Sequence, residues 1–172
     1  SHTFCGELED LLQSNALKLL CSLDDIEEII FLNSSYMNSF FNREIKKNVL
    51  PTSLLKLTLG DNYNKEINEG VLPTNLHTLS VGYEYNQEIK EDVLPNNLYK
   101  LTLGYEFKKD IVIPNSIKKI HLWSHSNLIN NLPNHIETLH INFFGNNDID
   151  RKVENLPISI KKIVIEINVI IC

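Results

Sequence analysis

Two histidines and one tryptophan, His121, His140 and Trp123, are the side chains whose types and spacing most suggest a functional site. Two neighbouring imidazoles can bind a metal ion, transfer protons, or join an aromatic ring in a contact surface for a partner. A metal site needs a third ligand, and acid–base chemistry needs a nucleophile or a carboxylate beside the histidines. The sequence places neither with them, so a contact surface is the favoured functional interpretation. Polar strand residues that simply face water are the alternative.

Lysines recur near these residues and supply a second candidate feature. Lys56, Lys100, Lys119 and Lys162 occupy one repeated position. We predict partner binding by His121, Trp123, His140, Lys100 and Lys119. The rival hypothesis is a nucleic-acid-binding factor or an enzyme that uses the lysine column or the two histidines. The net charge of −6 and the pI near 5.5 make nucleic acid and anionic membranes unfavourable partners.

Acidic residues form another repeated position. Glu44, Glu66, Glu88 and Asp110 could in principle bind calcium. Basic residues sit beside them in sequence, which predicts a neutralised, solvated face instead; these are Arg43, Lys65 and Lys109. No phosphate loop, nucleophile elbow, zinc-protease motif or dinucleotide fingerprint occurs. We therefore expect a protein without a cofactor, a metal or an enzymatic activity.

Composition limits the class of protein. The chain has 172 residues, of which 42% are hydrophobic, enough for a packed core in one domain or one short repeat array. Three scattered cysteines, Cys5, Cys21 and Cys172, predict reduced thiols and a cytoplasmic protein rather than a disulfide framework. Neither a membrane span nor a signal peptide is apparent, so a membrane partner is not expected.

The elements that must position these side chains follow from an internal repeat. Six prolines recur at intervals of 19 to 24 residues, the period of a solenoid; they are Pro51, Pro73, Pro95, Pro114, Pro133 and Pro157. After each proline comes an L-x-x-L-x-L pattern whose last three letters alternate apolar and polar. The instances are Leu54/Leu57/Leu59, Leu76/Leu79/Val81, Leu98/Leu101/Leu103, Ile117/Ile120/Leu122, Ile136/Leu139/Ile141 and Ile160/Ile163/Ile165, with a degenerate copy at Ile26/Ile29/Phe31. This alternation predicts about seven short parallel strands, one in each coil.

Two further patterns complete the predicted coil. Glycines at 60, 82 and 104 predict a sharp turn after the first three clear strands. Beyond them, Tyr63-Asn64-x-x-Ile67 and its copies predict an apolar plug and an Asn ladder on the convex side. The copies begin at Phe41, Tyr85 and Phe107, and Phe144 and Ile149 are the last weak echoes of the pattern. At the start of the chain, residues 1–25 show helical spacing of leucines, which predicts a capping helix before a solenoid over 26–172.

The C-terminal strand predicts an association site. The stretch from Ile160 to Cys172 stays apolar and is not followed by a capping helix. A solenoid leaves an unpaired strand edge at its end unless something covers it. Two outcomes satisfy this edge: the tail folds back as a lid, or the edge pairs with a second copy to form a homodimer.

The combined motif L-P-x-S/N-L-x-x-L-x-L-G with aromatic-Asn-x-x-Ile resembles the FNIP repeat, a leucine-rich-repeat relative of social amoebae and giant DNA viruses. The match is close from Phe41 to Ile111 and looser to about Ile165. The resemblance implies a curved right-handed solenoid that binds proteins. Many members carry an F-box, which implies a substrate adaptor for a ubiquitin ligase, host-directed and acting in the host cytoplasm if the protein is viral. The segment before the first repeat lacks the L-P-x-E opening of an F-box.

Overall fold

The computed structural model describes residues 25–31, 41–144 and 153–168. Within these ranges, seven parallel strands form one sheet in chain order. They are β1 (Glu28–Ile30), β2 (Lys56–Thr58), β3 (Thr78–Ser80), β4 (Lys100–Thr102), β5 (Lys119–Trp123), β6 (Thr138–Phe144) and β7 (Lys162–Asn168). The predicted leucine-rich-repeat-like solenoid is confirmed. The capping helix predicted over residues 1–25 lies outside the described residues, except for Asp25.

The strands form because alternate side chains enter a core that runs through all the coils. Leu57, Leu79 and Leu101 are partners in register on neighbouring strands. All three are fully buried, whereas Thr58 and Ser80 between the apolar letters remain partly exposed. Each coil therefore covers the apolar row of the next coil, as expected for a solenoid whose repeats contact only their neighbours.

Each proline begins a turn that leads into a strand. The backbone N–H groups of Leu76 and Leu98 donate to the carbonyl oxygens of Pro73 and Pro95, at 3.0 and 2.9 Å. The S/N letter of the motif links this turn to the preceding coil. Asn97 Nδ2, for example, donates to Thr74 O at 3.0 Å. A turn cannot join a sheet ladder, so this side chain supplies the hydrogen bond that connects neighbouring turns.

The convex side carries the two predicted columns. Phe41, Tyr63, Tyr85 and Phe107 are buried and stack with centroid separations of 5.6, 6.2 and 6.2 Å. Beside them, an Asn ladder satisfies backbone donors. Asn42 Oδ1 accepts from Asn64 N at 2.9 Å, Asn64 Oδ1 from Asn86 N at 3.1 Å, and Asn86 Oδ1 from Lys108 N at 3.1 Å. Lys108 ends the ladder because its side chain has no oxygen to offer the next coil.

Glycine is required after β3 and β4 because neighbouring backbones nearly touch there. A Cβ atom on Gly82 would lie 2.1 Å from Gly60 O, and one on Gly104 would lie 1.8 Å from Gly82 O. At each glycine the predicted turn begins, with Tyr85 N donating to Gly82 O at 3.3 Å. The equivalent position in β5 is Trp123, and there the extended backbone continues. The strands accordingly lengthen from 3 residues to 5 in β5 and 7 in β6 and β7.

Two expectations fail in the later coils. Phe144 is not a convex plug; it ends β6 and is 39% exposed. The apolar letters of β7 are not buried like those of the earlier coils. Ile163, Ile165 and Ile167 are 46%, 58% and 54% exposed, since β7 is the last strand in the order of the described sheet and only β6 pairs with it. A short 3-10 helix, Asn127–Asn130, follows β5. Among the described residues no helix is long and apolar enough to cross a membrane.

Candidate partner-binding face

The two histidines lie side by side on the open face of the sheet, as predicted. His121 in β5 and His140 in β6 are partners in register. Their rings are parallel within 6° and their centroids are 4.1 Å apart. Strands about 4.8 Å apart bring equivalent side chains this close, so the stacking is a direct result of the register.

The environment of the pair is mixed in charge. His140 Nε2 lies 3.2 Å from Glu166 Oε1 on β7. Asn142 is 8% exposed and lies on β6 beside His121. Burial lowers the pKa of His121 below its ordinary value, and the neighbouring His140 and Lys100 act in the same direction. The side chains of Asn142 and Glu166 act in the opposite direction without reversing the shift. His121 is therefore neutral near pH 7 and offers one donor and one acceptor.

Trp123 belongs to an aromatic cluster at the carboxyl ends of the strands. We define this cluster as Tyr83, Tyr105, Trp123, His125 and Phe144. Trp123 meets Tyr105 edge-on at 5.2 Å and Phe144 at 6.3 Å. Tyr83 and Tyr105 stack in parallel at 4.8 Å, one coil apart. Tyr83 and Phe144 are 38% and 39% exposed, so the cluster presents aromatic surface to solvent.

Sequence reasoning identified only Trp123 in this cluster. Tyr83 and Tyr105 directly follow the glycines at 82 and 104, and this Gly–aromatic pair at a 22-residue interval was the available signal. The ring centroids of His125 and Tyr105 are 4.2 Å apart, and His125 Nε2 lies within hydrogen-bonding distance of Tyr105 O. Outside the cluster, His77 stacks on Tyr99 at 5.0 Å.

The lysines lie at the opposite, amino-terminal ends of the strands. Lys100 and Lys119 are partners in register, and both are exposed. Lys119 Nζ lies 5.3 Å above the ring of Tyr99, within cation–π range. The structure thus brings the five predicted residues onto one face but in three places, with Lys100 and Lys119 at one edge, the histidines in the middle and Trp123 at the other edge.

This face combines aromatic rings, two stacked histidines and a carboxylate, Glu166, which the sequence did not place beside them. In the described ranges, no three His, Cys, Asp or Glu side chains are grouped so that they could hold a metal ion. The acidic column is solvated, and Glu66 pairs with Lys90 at 2.5 Å. In protein interfaces, aromatic residues with polar groups beside them contribute a large part of the binding free energy.

Comparison with known proteins supports the repeat architecture. The family model FNIP Repeat matches residues 41–84 and 85–122. A solved structure described as "CroV588, a novel circular LRR protein structure" superimposes with a TM-score of 0.64 at 29% identity. The match covers 85% of this chain and 24% of that protein, so the chain spans about a quarter of its relative. No curated protein matches the sequence.

Proposed function

Since the chain is an FNIP-type repeat protein with a leucine-rich-repeat-like solenoid, we propose that it is a non-catalytic scaffold that binds a partner protein through the face of its sheet. The observation that carries this proposal is the exposed aromatic cluster, which stands at the point where the glycine column gives way to Trp123. The contact residues are His121, Trp123, His140, Lys100 and Lys119.

Several features of this face favour a protein partner. Tyr83, Phe144 and Trp123 provide rigid apolar area, which typically forms the centre of an interface. His121, His140 and Glu166 add hydrogen-bonding groups that can fix the orientation of a partner. In its finer form, the proposal includes a cytoplasmic location and a substrate-adaptor role in ubiquitin ligation. We also propose that β7 associates with a second copy of the chain.

The test compares a face variant with a matched variant of the convex side. The chain with Trp123→Ala and His140→Ala is immobilised beside the wild type and beside Lys46→Ala with Glu88→Ala, two exposed convex residues. The wild type and the convex variant should retain the same proteins from a cell lysate, and the face variant should lose them. If all three chains retain the same set, the face is not the binding site.

A nucleic-acid ligand is the competing outcome. The exposed lysines at positions 56, 100 and 119 are its basis. A random oligonucleotide that binds at physiological salt, with an affinity that falls steeply as salt increases and weakens with Lys100→Ala and Lys119→Ala, would replace the protein-binding proposal.

A further inference from the structure

The exposed edge of the sheet has a sequence that is complementary to itself. The segment Lys162-Ile163-Val164-Ile165-Glu166 has an apolar centre, a positive charge at one end and a negative charge at the other. Reversing its direction exchanges Lys162 with Glu166 and Ile163 with Ile165, and leaves Val164 in place. A strand of this kind matches an antiparallel copy of itself.

Its side chains point where such a pairing needs them. In register with β6, Lys162, Val164 and Glu166 align with Thr138, His140 and Asn142, which belong to the open face. Ile163 and Ile165 align with Leu139 and Ile141, which are core residues. Residues directly opposite each other in an antiparallel pair point to the same side of the sheet. The charged pairs would therefore meet on the open face, and the isoleucines would meet on the core side.

We infer that β7 pairs antiparallel with β7 of a second copy, with the two-fold axis passing beside Val164. The dimer then contains two Lys162–Glu166 pairs and two Ile163–Ile165 pairs between the copies. Val164 lies opposite Val164 of the second copy. This register extends the sheet across the two chains and covers Ile163 and Ile165, which are 46% and 58% exposed in the single chain. The proposal rests on the self-association proposed for β7 and adds its direction and register.

Neighbouring registers are worse for identifiable reasons. A shift that centres the axis on Ile165 places Val164 opposite Glu166 and leaves Lys162 opposite Asn168, so neither ion pair forms. A shift that centres the axis on Ile163 places Lys162 opposite Val164 and Lys161 opposite Ile165. Of these three registers, only the one centred on Val164 places apolar side chains opposite apolar side chains and Lys162 opposite Glu166.

Within the described residues, the edge also lacks the usual protection against pairing. Exposed edge strands are normally short, or carry a proline or a charge that points inward. β7 is 7 residues long, contains no proline, and directs three isoleucines toward the core side. At the other end of the sheet, β1 has 3 residues and its core letter Ile29 is only 5% exposed. The two edges of the sheet are therefore not equivalent.

Charge reversal tests the register directly by analytical ultracentrifugation of the full chain. Lys162→Glu alone and Glu166→Lys alone each turn two attractive pairs into two repulsive pairs, so each variant should dimerise at least about tenfold more weakly. An equimolar mixture of the two variants should recover dimers, because both pairs across the mixed dimer are then attractive. The double variant Lys162→Glu with Glu166→Lys should dimerise within about threefold of the wild type.

The outcomes separate the register from the association itself. A wild-type dimer that neither reversal weakens, or that the mixture does not restore, overturns the antiparallel register while leaving association intact. A chain that stays monomeric at high micromolar concentration overturns both. Growth beyond the dimer indicates head-to-tail stacking of one copy on the next and also overturns the two-fold pairing. Circular dichroism of each variant confirms that the fold is retained.

Discussion

The coils that contain β2, β3 and β4 have the same buried positions as the coils that contain β5 and β6. The two groups differ at one position, which lies two residues after the end of β2, β3 and β4. In the first group this position is Gly60, Gly82 and Gly104, whereas in the second group it is Trp123 and Asn142. The first group has strands of 3 residues and a regular convex ladder; the second has longer strands, the histidine pair and most of the aromatic cluster. The core constrains the inward positions and close backbone approach constrains the glycine column, so contact residues appear where the repeat departs from its own pattern.

The largest expected loss of stability follows the addition of one methyl group to the regular coils. Gly104→Ala places a Cβ atom 1.8 Å from Gly82 O, and backbone cannot yield as a flexible side chain can. We expect a loss of at least about 3 kcal/mol in unfolding free energy, measured by urea denaturation. Gly70→Ala is the matched control. It adds a methyl group 3.6 Å from Lys47 at a φ of +76°, and should cost only about 1–2 kcal/mol of backbone strain. Equal losses would mean that close approach is not the reason for the glycine column.

The next largest loss of stability is expected from truncating the core side chains of the two regions. Leu79 is fully buried, so Leu79→Ala should cost about 2–5 kcal/mol, whereas Ser80→Ala should stay within about 0.5 kcal/mol. Ile165 occupies a core letter of the last coil but is 58% exposed. Ile165→Ala in a dilute, monomeric sample should therefore cost less than half as much as Leu79→Ala. Denaturant melts of the three variants decide this, and a Ser80 loss as large as that of Leu79 would indicate a strand register displaced by one residue.

A smaller effect is expected from the Asn ladder. Asn64 Oδ1 accepts hydrogen bonds from Asn86 N and Gln87 Nε2, at 3.1 and 2.9 Å. Asn64→Ala should cost about 1–2 kcal/mol, because it leaves the Asn86 amide without its acceptor. In the later coils Asn130 Oδ1 accepts from Glu154 N at 2.9 Å, at an exposed site. Asn130→Ala should cost less than Asn64→Ala in thermal melts, and the reverse order would show that the later coils depend on side-chain ladders more than the regular ones.

The smallest effect is a pH dependence that arises in the later coils. Burial lowers the pKa of both His121 and His135 below about 6.5, the ordinary value. Well above that pH both histidines are neutral in the folded and the unfolded states, so they add no pH dependence. As the pH falls through about 6.5, the unfolded chain takes up protons first and stability declines. The melting temperature should fall over this window, and His121→Gln with His135→Gln should flatten the decline. A profile unchanged by this double variant would assign the effect to other groups.

The sequence predicted most of the fold because the same residue types recur at the same positions of every coil. Leu57, Leu79 and Leu101 occupy one aligned column, and the same alignment places His121 beside His140. The aromatic cluster was not predictable in this way. Tyr83 and Tyr105 come from the turn after a strand, whereas Phe144 comes from the end of a lengthened strand. Their meeting depends on how far β6 continues, which the period does not specify.

The failed expectation at β7 has a different physical origin. The letters Ile163 and Ile165 follow the core pattern correctly, and the strand forms in the predicted register. A core side chain, however, is buried only when a neighbouring coil packs on it, because each coil covers the apolar row of its neighbour. A pattern within one coil predicts which way a side chain points and cannot predict whether another layer lies beyond it.

The distribution of aromatic residues gives the two regions separate optical signals. Trp123 is the only tryptophan, so its fluorescence reports on the later coils, where it contacts Tyr105 and Phe144. Tyr63 and Tyr85 are buried in the regular coils, and burial raises the pKa of both phenols, that of Tyr63 to about 12. At a pH between the ordinary phenol pKa of 10.0 and the raised value, these phenols therefore ionise, and change their ultraviolet absorbance, only when the regular coils open. Recording both signals during one denaturant titration shows whether the array melts as a unit or from one end, with no label attached to the chain.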